Sequence, residues 1–502
     1  MYMRKLVWAN FLHIYQPAEQ QPDILEAVVA QSYRPILRGI KKHKKVRLTL
    51  NINGALLELL DKYQYKDLID MLRELVKEGR IELTSSAKYH ALLPFLEEKE
   101  IIRQIEANNE TLHFYFNHGF RPIGFFPPEM AYDERLPKIV ESLGFKWMIL
   151  DEIAKSGRTQ TVDYHKLHKI EGTNLLVFFR ERRPSNLIMS AVVRSYDSLK
   201  EAMREDFASD RYLITGMDGE TFGHHRPGLE KMLFEIFASK GFDLVTISDL
   251  VKHCHETVSV VPVPSTWASS PDDIEKGIQF LSWSDPENIL HQWQWELTNS
   301  VLEEVHALDS HSLAFPEVRH MMDICLASDH FWWASAKPWW SLEMIEVGVY
   351  RLLETIRLIP NISEEKLRMA ADYYERIIST AFQWQRSGKI RRMMRERNAA
   401  YKIPFKDRTW RLGGEGGATY LAFLDMMRML EKEAAAKGEY EKAILWRDAV
   451  WRLEHKTDIY EAINAIDLLR KEMPNEEIEK IIEKYRSDYR RIRGGQPEQR
   501  GA

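Results

Sequence analysis

The stretch that decides the fold is GFFPPEMAYDERL, residues 124–136. An apolar run, Gly124 to Phe126, meets two consecutive prolines, and a glutamate, Glu129, follows at once. Neither Pro127 nor Pro128 offers a backbone donor, so a strand entering at Gly124 has to stop there. The pattern is a strand, an abrupt end, and a carboxylate just past that end. On local pattern alone Glu129 reads as an ordinary acidic residue favouring the start of a helix. The rest of the chain changes that reading.

Outward from this point the first half of the chain alternates. Strand-like apolar runs occur at 6–13, 46–52, 81–86, 123–127, 147–152, 175–180, 212–218 and 243–249. Helical patterns lie between several of them, as in DLIDMLRELVKEG (67–79) and EKEIIRQIEANNETLHFYF (98–116). Strands alternating with helices predict parallel pairing, in an open sheet or a barrel. In a β/α barrel the chemistry gathers at the carboxyl ends of the strands. His13, Glu82, Glu129, Asp151, Asp218 and Glu220 all fall near such ends.

The character changes near residue 255. VSVVPVPSTWASSPDD (258–273) is rich in proline and small polar residues and reads as a linker or long loop. Beyond residue 286 only helical spacing remains, at 287–309, 341–358, 363–386, 418–437, 439–472 and 475–492. A helical bundle is expected there, interrupted at RTWRLGGEGGATY (408–420), where four glycines preclude a regular helix. The expected organisation is a barrel over 1–255, a linker or long loop over 256–286, a helical domain over 287–493 and a disordered tail over 494–502. There is no internal repeat.

Bulk properties exclude several classes of function. At 502 residues the chain exceeds one simple core. Lys plus Arg number 70 against 75 for Asp plus Glu, so nothing draws the chain as a whole to nucleic acid or an anionic membrane. No apolar run is long enough to span a bilayer, and that of MYMRKLVWANFLHIYQP is too short for a secretory signal. Two cysteines, Cys254 and Cys325, give no disulfide framework, and a reducing cytoplasm is the expected compartment. Oligomeric state leaves no trace in the sequence. The 14 tryptophans suit a core, and their flat faces also suit sugar rings.

Candidate chemistry rests on carboxylates. In LITGMDGETFGHH (213–225) Asp218 ends a second strand, and Gly219 and Gly223 let the backbone bend around it. Read alone, this is also a polar turn. Two carboxylates at the ends of two parallel strands can nevertheless converge on one cleft, the arrangement that glycoside hydrolysis needs. FLHIYQP (11–17) adds His13, Tyr15 and Gln16, and GRIELTSSAKYHALLP (79–94) adds Glu82, Tyr89 and His90. No metal or other cofactor is expected. His13-Ile14-Tyr15 lacks the acid of a His-x-Asp pair, and no two of the 17 histidines stand four apart. A phosphate-cradling glycine loop and a G-x-S-x-G serine elbow are both absent.

Taken together, HIYQP, GRIELTSSAKYHALLP, GFFPPEMAY and MDGETFG resemble, in order, the motifs of glycoside hydrolase family 57. Tyr15 stands where the family commonly has His. EKGIQFLSWSDPENILHQWQWELT and SDHFWWASAKPWW resemble its later aromatic regions. The resemblance implies a (β/α)7 barrel followed by an all-α helical domain covering the barrel mouth. One of the eight candidate strands must then lie outside the ring, and 175–180 is set there. The resemblance further implies a retaining, α-amylase-like enzyme acting on α-glucans, by hydrolysis or by transfer. Glu129 would be its nucleophile, ionised, and Asp218 its general acid/base, with a pKa raised by its site. His13, Gln16, Glu82 and Glu220 would bind sugar hydroxyls. Trp283, Trp332 and Trp333 would reach the cleft from the helical side, or else pack between barrel and bundle. Two rival readings are a metal-dependent polysaccharide deacetylase on a related barrel and a non-catalytic glucan-binding protein.

Overall fold

The computed structural model describes residues 6–492 except 118, 192, 208, 255, 338, 398–416 and 456–458. Among them are ten strands: β1 (Leu6–Ile14), β2 (Leu48–Ile52), β3 (Ile81–Ser85), β4 (Gly124–Phe125), β5 (Trp147–Asp151), β6 (Leu167–Ile170), β7 (Leu176–Arg180), β8 (Tyr212–Asp218), β9 (Phe242–Val245) and β10 (Thr257–Val260). Seven of these, in the order β8-β1-β2-β3-β4-β5-β7, run parallel to each neighbour. Between β7 and β8 the ring is joined by Glu181 N donating to Ile214 O at 2.9 Å. Register drifts around the sheet: Asp218 lies beside His13 and His13 beside Asn51 at strand ends, whereas Gly124 lies beside Trp147 at strand starts. That stagger is what closing a sheet into a tilted barrel demands.

Two expectations about the strands are corrected. Residues 176–180 are β7, a full member of the ring, and 243–249 supplies β9, which stands outside it. The reason is an edge shared along its length. β9 pairs with Leu6–Ala9 of β1, and β2 pairs with Phe11–Ile14 of the same strand. Both lie opposite the edge taken by β8, so β9 adds no place to the ring. The stretch read as a linker or long loop packs against the barrel: β10 pairs with β6, and Tyr132 and Ser265 exchange backbone hydrogen bonds at 2.9 and 3.3 Å.

Alternation along β1 divides the core. Ala9 and Phe11 join one hydrophobic cluster, whereas Leu6, Trp8, Leu12 and Ile14 join another that includes Leu25, Ile36 and Leu56 of the surrounding helices. The helix Glu98–Phe116 opens with acids that suit its positive end and buries Ile101, Ile105 and Leu112 along one stripe. Beyond the barrel, helices Ile289–Ala307, Phe315–Cys325, Leu342–Arg357 and Glu364–Arg386 put Leu297, Val318, Val349 and Ala381 into the same continuous core as Phe125, Ile149 and Phe178. The helix Phe315–Cys325 has no counterpart in the sequence reading. Arg319, on that helix, reaches Glu100 Oε2 on the barrel side and Asp323 Oδ1, each at 2.8 Å. Residues 420–482 form a separate core around Phe423, Trp446, Leu453 and Leu469. Within the helix expected over 439–472, Tyr440–His455 and Ile459–Glu472 are helical, and 456–458 lie outside the described residues. Residues 408–416 of the glycine-rich interruption and the tail 494–502 lie outside the described residues. No helix among the described residues is long and apolar enough to cross a membrane.

Candidate active site

The site is built from the barrel floor upward. Glu82 belongs to the floor. It is the second residue of β3, and its carboxylate accepts from Thr49 Oγ1 at 2.9 Å, from Ser248 N at 3.2 Å and from the Ser248 hydroxyl. Ile247 N donates to Thr49 Oγ1 at 2.8 Å, and Ile247 and Leu250 are fully buried. Glu82 thus anchors the segment after β9 at the amino end of the strands. The expectation that it binds sugar at the carboxyl end is corrected: the strand begins one residue before it, and its oxygens are occupied.

At the opposite end, β4 stops after two residues, as the paired prolines require. A tight turn, Pro128–Met130, follows and holds Glu129 at φ +62° and Met130 at φ +49°, both left-handed without being glycine. Such a backbone costs on the order of 1–3 kcal/mol per residue and persists only where neighbours impose it. Here Trp267 imposes it twice. Its backbone N donates to Glu129 O at 3.1 Å, and its indole Nε1 donates to Glu129 Oε2 at 2.6 Å. The Glu129 side chain keeps 17% of its surface exposed, and His90 Nδ1 approaches its other oxygen at 3.9 Å.

Asp218 ends β8 and is the lateral neighbour of His13 on β1. His13 Nδ1 is 2.8 Å from Asn51 Oδ1, and its ring lies 5.0 Å from that of His90. Tyr15 stacks on His90 at 4.3 Å and lies 6.1 Å from the His13 ring, so the three rings form one cluster. Its hydroxyl donates to Asp329 Oδ2 at 2.7 Å, and its backbone N donates to Glu220 Oε1 at 3.3 Å. Glu220 also accepts from Gln16 Nε2 at 3.4 Å and from the Tyr33 hydroxyl. His90 Nε2 is buried with no partner. Glu129, Asp218, His13, Gln16 and Glu220 are therefore gathered at one end of the barrel, and Asp329 joins them from the helical side.

The electrostatics follow from crowding carboxylates into a poorly hydrated cleft. Burial raises Glu129 to about 8, helped by the charge of Asp218 and opposed by the Trp267 bond. Burial raises Asp218 to about 6 against the pull of Arg180, and burial raises Glu220 to about 7. Asp218 is raised, the direction its assigned role requires, but Glu129 is raised further, the reverse of the order expected. Burial pushes both groups toward the protonated form, so together they retain a proton near neutrality. Burial lowers His13 to about 4 and His90 well below its ordinary value, so both rings are neutral.

The tryptophans divide. Trp283 is buried among Leu92, Ala131 and Phe331 and is a core residue. Trp332 and Trp333 are half-buried; Trp332 stacks on Trp339 at 4.7 Å and meets Trp333 edge-on at 4.9 Å. Trp332 lies at the end of the short helix that begins with Asp329. Sequence reasoning missed Trp267 and Asp329. A lone indole in a Pro/Ser-rich stretch was the available signal for Trp267, and the acid beside the aromatics of SDHFWW was that for Asp329. Among the described residues no three His, Cys, Asp or Glu side chains converge as metal ligands.

Residues 2–264 match the family model described as Glycosyl hydrolase family 57. The chain is 23% identical over 250 residues to an alpha-amylase of Pyrococcus horikoshii, covering 48% of this chain and 38% of that one. It is 23% identical over 228 residues to a 4-alpha-glucanotransferase of Thermococcus kodakarensis, covering 45% and 34%. It thus spans about a third of the length of these curated relatives. Among solved structures it is similar to a GH57-type branching enzyme of Pyrococcus horikoshii, with a TM-score of 0.59 at 16% identity over 76% of this chain and 97% of that one. It is also similar to the alpha-amylase AmyC of Thermotoga maritima, with a TM-score of 0.53 at 16% identity over 75% and 97%. At these identities the structural likeness is one of fold.

Proposed function

The chain belongs to glycosyl hydrolase family 57, and from that premise we propose that it is a retaining enzyme acting on α-glucans, with Glu129 as nucleophile and Asp218 as general acid/base. The observation that carries the reading is the gathering of both carboxylates at one end of the barrel, with Glu129 held in a left-handed turn under a 2.6 Å hydrogen bond from Trp267.

In the first step a Glu129 oxygen attacks the anomeric carbon, the bond to the leaving oxygen breaks, and Asp218 gives that oxygen its proton. In the second, water or a glucan hydroxyl attacks the same carbon. Asp218 takes the proton of the attacking oxygen, and the ester to Glu129 breaks. Turnover needs the shared proton on Asp218. A bound sugar draws it there, because its electron-poor anomeric carbon favours an ionised Glu129 and its glycosidic oxygen accepts a hydrogen bond from Asp218. His13, Gln16, Glu220 and Asp329 supply hydrogen-bonding groups for the hydroxyls, and His90 Nε2 offers an uncommitted one. Trp332 and Trp333 extend the cleft on the helical side. The barrel through residue 255 carries the catalytic groups, and the helical region from 287 supplies Asp329. A reducing compartment fits the free thiols Cys254 and Cys325.

The reading is tested with two variants and a panel of α-glucans and nitrophenyl α-glycosides, product analysis separating hydrolysis from transfer and branching. Glu129→Gln should lose several orders of magnitude in turnover. Asp218→Ala should lose far more on natural α-glucan than on a nitrophenyl α-glycoside, whose leaving group departs unaided. It should also show a burst of phenol, and azide should yield a glycosyl azide of retained configuration. An azide product of inverted configuration would refute the retaining assignment. Activity lost on chelation and restored by zinc alone would favour the deacetylase reading.

A further inference from the structure

One cluster of buried charge adjoins both proposed carboxylates through their neighbours, Trp267 for Glu129 and Gly216 for Asp218, and has no part in the steps above. Arg180, the last residue of β7, has a side chain only 3% exposed. Its guanidinium is committed in three directions: Nε donates to Gly216 O at 2.6 Å, Nη1 to Asp151 Oδ2 at 2.6 Å, and Nη2 to Asn186 Oδ1 at 3.1 Å. Arg182 donates to the second Asp151 oxygen, and its Nη2 donates to Trp267 O at 3.0 Å. The Arg180 guanidinium carbon lies 5.9 Å from the centroid of the Trp267 ring, within cation–π range. Trp267 is the residue that grips Glu129. Gly216, which receives Arg180, lies two residues before Asp218 on the same strand face. Two arginines facing one buried aspartate are costly to desolvate, and hydrophobic residues would join β7 to β8 more cheaply.

We propose that Arg180 is a positioning residue for both carboxylates: fixed across the β7–β8 junction, it holds the Trp267 indole against Glu129 and presents its positive charge to Asp218. The inference rests on the assignment of Glu129 and Asp218 made above.

The groups facing Asp218 are Glu129 from the turn after β4, Glu220 from the turn after β8, Tyr33 from the segment after β1, and neutral His13 at its side. Among the described residues Arg180 is the cation whose charge acts on it. As the leaving oxygen takes its proton, Asp218 becomes an anion, and a fixed cation stabilises that anion as it forms. The same charge makes Asp218 a weaker base in the second step. Lysine would keep the charge without the planar fork that reaches Gly216, Asp151 and Asn186.

The test compares pH profiles of kcat/KM for the wild type, Arg180→Met and Arg180→Lys on soluble α-glucan, with Glu129→Gln as control. Without the cation the carboxyls hold their protons more tightly, so the Met variant should move its profile alkaline by about one pH unit and lose roughly tenfold or more in kcat. The Lys variant should keep the wild-type limbs and lose kcat at unchanged KM. A residue that merely braces the fold would lower activity without moving the limbs, so a folded Arg180→Met with an unmoved profile overturns the inference. Should the Met variant not fold, Arg180→Gln, which keeps a polar fork without the charge, decides: limbs moved alkaline support the inference, and wild-type limbs overturn it. Near-normal turnover by Glu129→Gln would overturn the assignment and this inference with it. An inactive Glu129→Gln beside an unmoved Arg180→Met profile overturns the inference alone.

Discussion

The buried carboxyl of Glu129 should cost the fold stability wherever the site is ready to work, and its replacement should return that stability. Glu129→Gln keeps the shape, the left-handed turn and an oxygen to accept from Trp267, and removes only the ionisation. In the folded chain the carboxyl titrates at about 8 against an ordinary value of 4.5. The folded state therefore keeps a proton that the unfolded state has released throughout that window, and folding stability falls as pH rises through it. Each pH unit costs about 1.4 kcal/mol. The difference between variant and wild type should thus be near zero at pH 4.5, roughly 3 kcal/mol in favour of the variant at pH 7, and on the order of 4 kcal/mol at pH 8. Denaturant midpoints measured from pH 4.5 to 8 give the curve directly. A variant whose stability relative to wild type is flat across that range, or falls with rising pH, would refute the account of a desolvated carboxyl.

Other substitutions separate the roles described. Trp267→Phe removes one charge-assisted hydrogen bond, worth about 1.5–3 kcal/mol, so kcat/KM should drop roughly ten- to hundredfold. Its pH profile should move alkaline, since the lost bond held Glu129 down; steady-state kinetics across pH would show both. Glu82→Gln should weaken the floor by about 1–3 kcal/mol in urea unfolding while leaving KM for glucan unchanged, and a raised KM would return Glu82 to the cleft. Arg319→Met leaves Glu100 to His306 and Asp323 to Arg103 as remaining partners, and should lower stability by about 1–3 kcal/mol with normal turnover at temperatures where the variant is folded.

Much of the barrel is legible in the sequence because its signals are local. The run LVWANFLHI alternates between two cores, and the prolines after Phe126 stop β4 where they stand. The place of each strand in the ring is not local. Residues 243–249 carry as good a strand pattern as 175–180, and only the division of one edge of β1 between β2 and β9 excludes the former. Glu82 misleads for a related reason: IELTSS gives no sign of which end of the strand meets substrate, and that is fixed by Ser248, 166 residues away. Asp329 reaches the site through Tyr15 at a separation of 314 residues, a pairing that no local pattern contains. The order in which Glu129 and Asp218 release protons depends on burial and on Arg180, both products of the assembled fold.

The edge that β2 and β9 divide between them also sets an order in time. The bond from Ile247 N to Thr49 Oγ1 joins residues 198 apart, so the floor of the barrel is among the last parts of the first half to be synthesised. A chain emerging from the ribosome lays down β1 to β8 with the amino end of the lumen still open to water. Closing so long a loop is slow compared with forming the local helices already made. Until it closes, the growing chain exposes inner-face residues such as Ala9 and Phe11 to water. A product that ended near residue 240 would carry all seven ring strands and still lack the segment that closes the floor.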